Sequence, residues 1–365
     1  MNFMQLCLSL AGVAIMAAAQ QKADSDVITF TNGDELSGRF VRSTGSSVTF
    51  KSEALGEITV DWSKVKELDT SAPVAVIRKG VKLKRHQITP DVPQGVMTVQ
   101  DQKIQIGAPA QSIPVGDTSN ILDQAAFQKA ITRNAGFFHD WTGSITTGAT
   151  LVQATQENRT ANGALTLVRT EPTEAWLHPR DRTALDFSMT YGQLTQPATP
   201  SIKTSIFHGD VQRDEYFTPS LFAFGEGAFD HNFSQGLYLQ QTYAGGLGWT
   251  AVSTAAQLLD LKVSASYIRQ DFQTGPDQNL IGSVFAEHYN RKLPRGMVLD
   301  QKLSATPAWN ETEAFSAAFS ALLTVPMYKR LSGSAGVIDS YLNNPPPGFR
   351  KNSFQFTLGV TYALP

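Results

Sequence analysis

From Trp141 to the end of the chain, apolar and polar residues alternate with a period of two, run after run. Leu185, Phe187, Met189 and Tyr191 alternate with Arg182, Asp186, Ser188 and Thr190. Leu259, Leu261, Val263, Ala265 and Tyr267 alternate with Asp260, Lys262, Ser264 and Ser266. Met297, Leu299, Leu303 and Ala305 alternate with Val298, Asp300, Lys302 and Ser304. The chain closes the same way, with Phe354, Phe356, Leu358, Val360, Tyr362 and Leu364 at every second position. Successive side chains of a strand point to opposite faces, so each run predicts one apolar and one polar face. Segments 220–230 and 280–289 are less clean, with apolar residues on both faces.

Turn-forming stretches such as TQENRTAN, TQPATP, TGPDQ, KLPRG and NNPPPG separate the runs. They divide residues 139–365 into about twelve strands of roughly ten residues, the length of a tilted strand crossing a bilayer. Strands of soluble proteins average nearer five or six residues. Trp141, Tyr191, Trp249, Tyr267, Trp309 and Tyr341 lie near run ends, where interfacial aromatic girdles would form. A sheet crossing lipid must close on itself to pair its backbone, so the expectation is a transmembrane antiparallel β-barrel. An even strand count returns both barrel ends to one side, which suits a front module in the periplasm.

Residues 26–122 also read as β structure, but in shorter pieces. VITFT runs into Asn32-Gly33-Asp34, a hairpin signal. Val48 and Phe50 share one face, as do Ile58, Val60 and Trp62. A small SH3-like module is expected, and residues 96–122 echo residues 47–68, which predicts a second related module or a degenerate copy. The basic stretch GVKLKRHQ at 80–87 is read as a solvated hairpin. Phe127, Ala130 and Ile131 fall at helical spacing, so a short helical linker is expected over 123–138.

The first residues, MNFMQLCLSLAGVAIMAAAQQ, have the shape of a secretory signal cut after Ala19, although no Lys or Arg precedes the apolar core. Cys7, the one cysteine, lies inside it, leaving a mature chain without thiols for disulfides, metals or nucleophilic chemistry. Charged residues make up 17% of the chain and the net charge is −2, which excludes a basic nucleic-acid-binding surface.

Candidate chemistry is sparse. Arg182, Asp186, Asp260, Lys262, Asp300 and Lys302 fall on polar faces and are expected to line the lumen. Their mixed signs predict a cross-linked interior more than a selectivity ring of one sign. Ser205, His208 and Asp210 sit close in sequence, but Ser205 and His208 are an odd number of residues apart and point to opposite faces. A nucleophile for His208 would have to come from a neighbouring strand, so no enzyme activity is expected. The six histidines are scattered without ligand spacing, so neither metal nor cofactor is expected.

Thr357, Gly359, Tyr362 and Leu364 resemble the C-terminal signal of bacterial outer-membrane proteins, with Pro365 as a departure. That resemblance implies the barrel-assembly machinery and outer-membrane lipid as partners. Four longer stretches add to it: ITFTNGDELSGRFV, DWTGSITTGATLVQATQENRTANGALTL, RDEYFTPSLFAFGEGAFDHNFSQGLYLQQTYAGGLGW and SYLNNPPPGFRKNSFQFTLGVTYAL. Together they resemble the YdiY-type salt-induced outer-membrane proteins, the family of domain of unknown function 481. The family brings no agreed activity and no catalytic residues. The expected function is a structural or envelope-stress barrel whose front module docks a periplasmic partner. The alternative is a narrow, weakly selective porin, and a lipid hydrolase ranks third.

Overall fold

The computed structural model describes residues 25–81, 83–84, 92–107, 109–153, 157–174, 176–195 and 200–364. The signal segment 1–19, Cys7, His86 and Pro365 lie outside the described residues. The chain divides into two compact units at Arg133/Asn134.

The first unit holds eleven strands in one sheet: β1 Asp26–Phe30, β2 Glu35–Thr44, β3 Ser47–Ser52, β4 Gly56–Asp61, β5 Val65–Asp69, β6 Val74–Arg78, β7 Gln94–Gly95, β8 Met97–Gln100, β9 Lys103–Ile106, β10 Gln111–Pro114 and β11 Thr118–Asp123. The sheet curls into a half-barrel around a core that includes Ile28, Val48, Phe50, Trp62, Leu68, Val99, Ile104 and Ile121. The echo in the sequence has a structural counterpart. In the first half β1 pairs with β5, and in the second β6 pairs with β11. A 3₁₀ turn, Trp62–Lys64 or Val115–Asp117, precedes the last strand of each half. The halves then exchange strands, β5 pairing with β8 and β11 with β2. The two copies are thereby interlaced in one sheet.

Buried Asp26, on the central strand β1, fastens this unit. Its Oδ2 accepts from the Phe40 N–H at 2.6 Å, and its Oδ1 accepts from the Ser71 N–H at 2.6 Å and hydroxyl at 2.7 Å. The helix α1, Gln124–Thr132, is capped by the Asp123 carboxylate, which accepts from the Ala126 N–H. It buries Phe127, Ala130 and Ile131. Gln124 and Gln128 both donate to the Gln94 side chain, so the helix belongs to the front unit instead of spanning a linker through 138.

The second unit is a closed antiparallel barrel of twelve strands. They are β12 Trp141–Gln153, β13 Glu157–Glu171, β14 Asp181–Thr195, β15 Ile202–Tyr216, β16 Leu221–Asn232, β17 Leu237–Ser253, β18 Gln257–Phe272, β19 Gln278–Lys292, β20 Val298–Pro307, β21 Phe315–Tyr328, β22 Leu331–Leu342 and β23 Asn352–Ala363. Lengths run from 10 to 17 residues, longer than the apolar alternation suggests. The ladders continue past the apolar stretch, as where Arg213 and Glu215 extend β15 beyond Val211. Met297 precedes its strand and belongs to the turn before it.

The outward face is apolar. Phe354 is 65% exposed, Phe356 62%, Leu358 62% and Val360 41%, and Phe187, Leu247, Val263, Ile281 and Phe285 are exposed in the same way on other strands. β16 explains the mixed pattern of 220–230: Phe222 and Phe224 turn inward and are buried, while Leu221 and Phe229 are exposed. Gly248, opposite Phe222, makes the room, since a Cβ there would lie 2.2 Å from the Phe222 ring.

Closure is made by β12 and β23, with Ile145 opposite Tyr362 and Thr147 opposite Val360. The Leu364 N–H donates to the Gly143 carbonyl at 2.8 Å, so pairing continues to that residue. Backbones approach closely at this seam. A Cβ on Gly359 would sit 2.6 Å from the Thr147 carbonyl oxygen, and one on Gly148 would sit 2.2 Å from that of Leu358. Overpacking of this kind costs about 1–3 kcal/mol. Gly359→Val is therefore expected to destabilise the closed barrel, read as a lower temperature for the loss of its fast, folded migration in SDS gels.

Candidate functional site in the barrel interior

Contacts between strands that are not neighbours can only cross the interior, and the polar faces make several. Arg182 on β14 donates from Nε to Asp214 Oδ2 on β15 at 2.6 Å, and its Nη2 lies 2.7 Å from Asp260 Oδ2 on β18. Both carboxylates are about 1% exposed. Asp260 Oδ1 also accepts from the Thr250 hydroxyl at 2.7 Å. The guanidinium stacks over Phe222 at 5.3 Å and Tyr216 at 5.9 Å. Lys262 donates to the Gln212 side chain and covers the Phe224 ring at 5.3 Å. Together these groups fill the lower end of the lumen, the end at which β12 begins and β23 finishes.

Higher in the lumen, Lys302 on β20 reaches Asp186 on β14 at 2.8 Å, and Asp186 also accepts from Thr166 on β13. Asp300 holds His288 at 2.9 Å and accepts from Asn290 at 2.8 Å. His208 lies between Asp230 at 2.7 Å and Asp210 at 3.0 Å. The six polar-face candidates thus fall into three groups: Arg182 with Asp260, Lys302 with Asp186, and Asp300 with His288. Lys262 joins the first group through Gln212, which also donates to Asp214.

The upper end is closed differently. The turn between β16 and β17 is a 3₁₀ turn, Phe233–Gln235, ended by Gly236 in the left-handed region at φ 71°. Asn232 caps it and donates to Gln235 Oε1 at 2.8 Å. Gln235 Nε2 then donates to the carbonyls of Ser340 and Lys351, at 2.9 and 2.7 Å. Those carbonyls belong to β22 and to the residue just before β23, six strands away around a ring of twelve, so the turn spans the mouth. Gly236 is required there, because a Cβ would meet the Phe349 ring at 2.8 Å. Ile268, Leu280 and Ala314 form an apolar cluster nearby. Gln235 carried no sequence signal, since its role depends on which strands end up opposite each other.

The four C-terminal candidates belong to closure and not to the lumen network. Thr357 Oγ1 donates to the Gly336 carbonyl at 3.4 Å, Tyr362 is 46% exposed, and Gly359 and Leu364 make the seam contacts above. Ser205 and His208 point to opposite sides of β15, and the partner of Ser205 is His231 on β16.

A family model described as a protein of unknown function, DUF481, matches residues 145–364. Among curated proteins none matches the chain. Two solved structures are similar at 10% identity. The translocator domain of the autotransporter NalP from Neisseria meningitidis covers 61% of this chain and 87% of its own, with a TM-score of 0.33. The β domain of the Bordetella autotransporter BrkA covers 62% and 98%, with a TM-score of 0.29. Likenesses this low carry nothing about activity.

Removing one partner of a buried ion pair leaves an uncompensated charge and costs about 3–5 kcal/mol. Arg182→Met is expected to destabilise the barrel by that order, seen as a lowered midpoint in urea unfolding from detergent micelles.

Proposed function

The chain belongs to the DUF481 family, and from its geometry we propose an outer-membrane barrel with an occluded lumen, acting as a structural or envelope-stress component instead of an open pore. The observation that carries the location is the outward face. Phenylalanine, leucine, valine and tyrosine side chains stand exposed on strand after strand of a closed sheet. Contiguous apolar surface on that scale is far beyond what a soluble monomer carries, and a closed cylinder leaves no second sheet to cover it. Outer-membrane lipid would cover it. The barrel-assembly machinery would receive the C-terminal strand.

Occlusion rests on the two closures. The Arg182–Asp214–Asp260 cluster with Phe222 fills one end, and the Gln235 turn bridges the other. The front unit would lie in the periplasm and dock a partner there. With the end at which β12 begins facing the periplasm, the connections 273–277 and 308–314 face outside.

Two measurements test this reading. The refolded chain in a planar bilayer is expected to give no discrete conductance steps, and to gain them when Gln235→Ala is combined with Arg182→Ala and Phe222→Ala. Discrete steps from the unaltered protein would favour the narrow porin, most clearly if Lys262→Ala or Asp300→Ala changed them. On intact cells, added protease is expected to cut within 273–277 and to leave residues 27–122 whole. Loss of the front unit under those conditions would reverse the orientation.

A further inference from the structure

One polar pair stands on the apolar exterior. Ser205 Oγ lies 2.8 Å from His231 Nε2, and His231 Nδ1 lies 2.6 Å from the Tyr238 carbonyl oxygen. A carbonyl oxygen only accepts, so Nδ1 must carry the hydrogen. In the neutral ring Nε2 then has the lone pair, and the serine hydroxyl donates to it. This is the proton arrangement of an activated nucleophile: a hydroxyl on a base whose far nitrogen is held by a third group.

The fold makes the pair in an ordinary way. Phe207 lies opposite His231 across β15 and β16, and Ser205 is two residues along on the same face, within diagonal reach. The ring of His231 is held against Phe207 at 5.6 Å and edge-on to Tyr238 at 6.1 Å. Beside it is an apolar depression of about 480 Å³. Gly209 and Gly227 lie where side chains would otherwise fill it, Leu185, Phe187, Val211 and Phe229 wall it, and His231 lies at its margin.

Along β15 the outward residues change from Phe207 and Val211 to Lys203, and Ser205 sits at that change. In a bilayer this is the level at which an acyl ester passes from hydrocarbon to headgroup.

We propose that Ser205 and His231 form an acyl-ester hydrolase site on the barrel exterior, with membrane-lipid carboxylic esters as substrate. Oγ attacks the ester carbonyl carbon while its proton passes to Nε2. The ester C–O bond breaks and the departing alcohol takes that proton. Water then attacks the acyl-serine, gives its proton to Nε2, and releases the fatty acid and a free serine, whose oxygen regains the proton. The acyl chain lies in the depression walled by Phe187 and Phe229.

The substrate assignment rests on the outward face meeting lipid, and the two ideas are tested apart. Partition of the refolded full chain into detergent reads the exterior. Labelling by a long-chain fluorophosphonate, mapped by peptide mass, reads the site. Labelling is expected on Ser205, with loss of more than tenfold in His231→Ala, no signal there in Ser205→Ala, and no change in His178→Ala. Folded gel migration of each variant confirms an intact barrel. Hydrolysis of a phospholipid in mixed micelles is expected to follow the same order. A folded, detergent-bound barrel whose Ser205 is unlabelled, or is labelled equally after His231→Gln, would overturn the proposal and leave the barrel reading standing.

Discussion

Each strand of the second unit has to find a hydrogen-bonded neighbour on both sides, and the barrel follows from that demand. In the lipid proposed to surround this barrel, an unpaired N–H or C=O would cost several kcal/mol, so a flat sheet with two free edges would not be available. β12 and β23 resolve it by pairing with each other, and the chain can do this only where two backbones come close together. Gly148 and Gly359 stand at that approach. Pairing continues to Leu364 because the Gly143 carbonyl on β12 accepts its N–H.

Closure creates an interior, and the alternation that makes the outside apolar necessarily makes the inside polar. Twelve strands leave too much space for side chains from one strand to meet only their neighbours. The interior is bridged instead by long residues of opposite charge: Arg182 reaches two carboxylates and Lys302 reaches Asp186. Aromatic rings lie against the cations, with Phe222 and Tyr216 beside Arg182 and Phe224 beside Lys262. Buried ion pairs of this sort contribute little net stability, because desolvation offsets most of the attraction. What they do is tie together strands that the closed ring has already placed across from each other.

The fold was largely legible, because a period of two carries its own geometry. The alternation around Arg182, Asp186 and Asp260 assigns each to a face without any knowledge of neighbours. Partner choice was not legible. That Arg182 meets Asp260, four strands away, depends on the stagger with which the sheet closes. The same holds for Gln235 and its carbonyl partners, and for Ser205 with His231, whose meeting depends on the register set by the short turn at 217–220. β16 misled the pattern for a different reason: its inward phenylalanines are accommodated by a glycine on another strand. In the front unit the repeat was visible, but not that its copies trade strands. Nothing in either copy's pattern distinguishes pairing within a copy from pairing between copies.

That trade limits how the amino-terminal body can be divided. Cutting between Asp69 and Val74 would leave β2 without β11 on one side and β5 without β8 on the other, and would split the hydrophobic centre that Ile28, Val99 and Ile121 share. Neither fragment would keep a covered edge. The two copies therefore stand or fall together, so a lesion in either is felt across both, and a truncation that removes one removes the scaffold of its sibling.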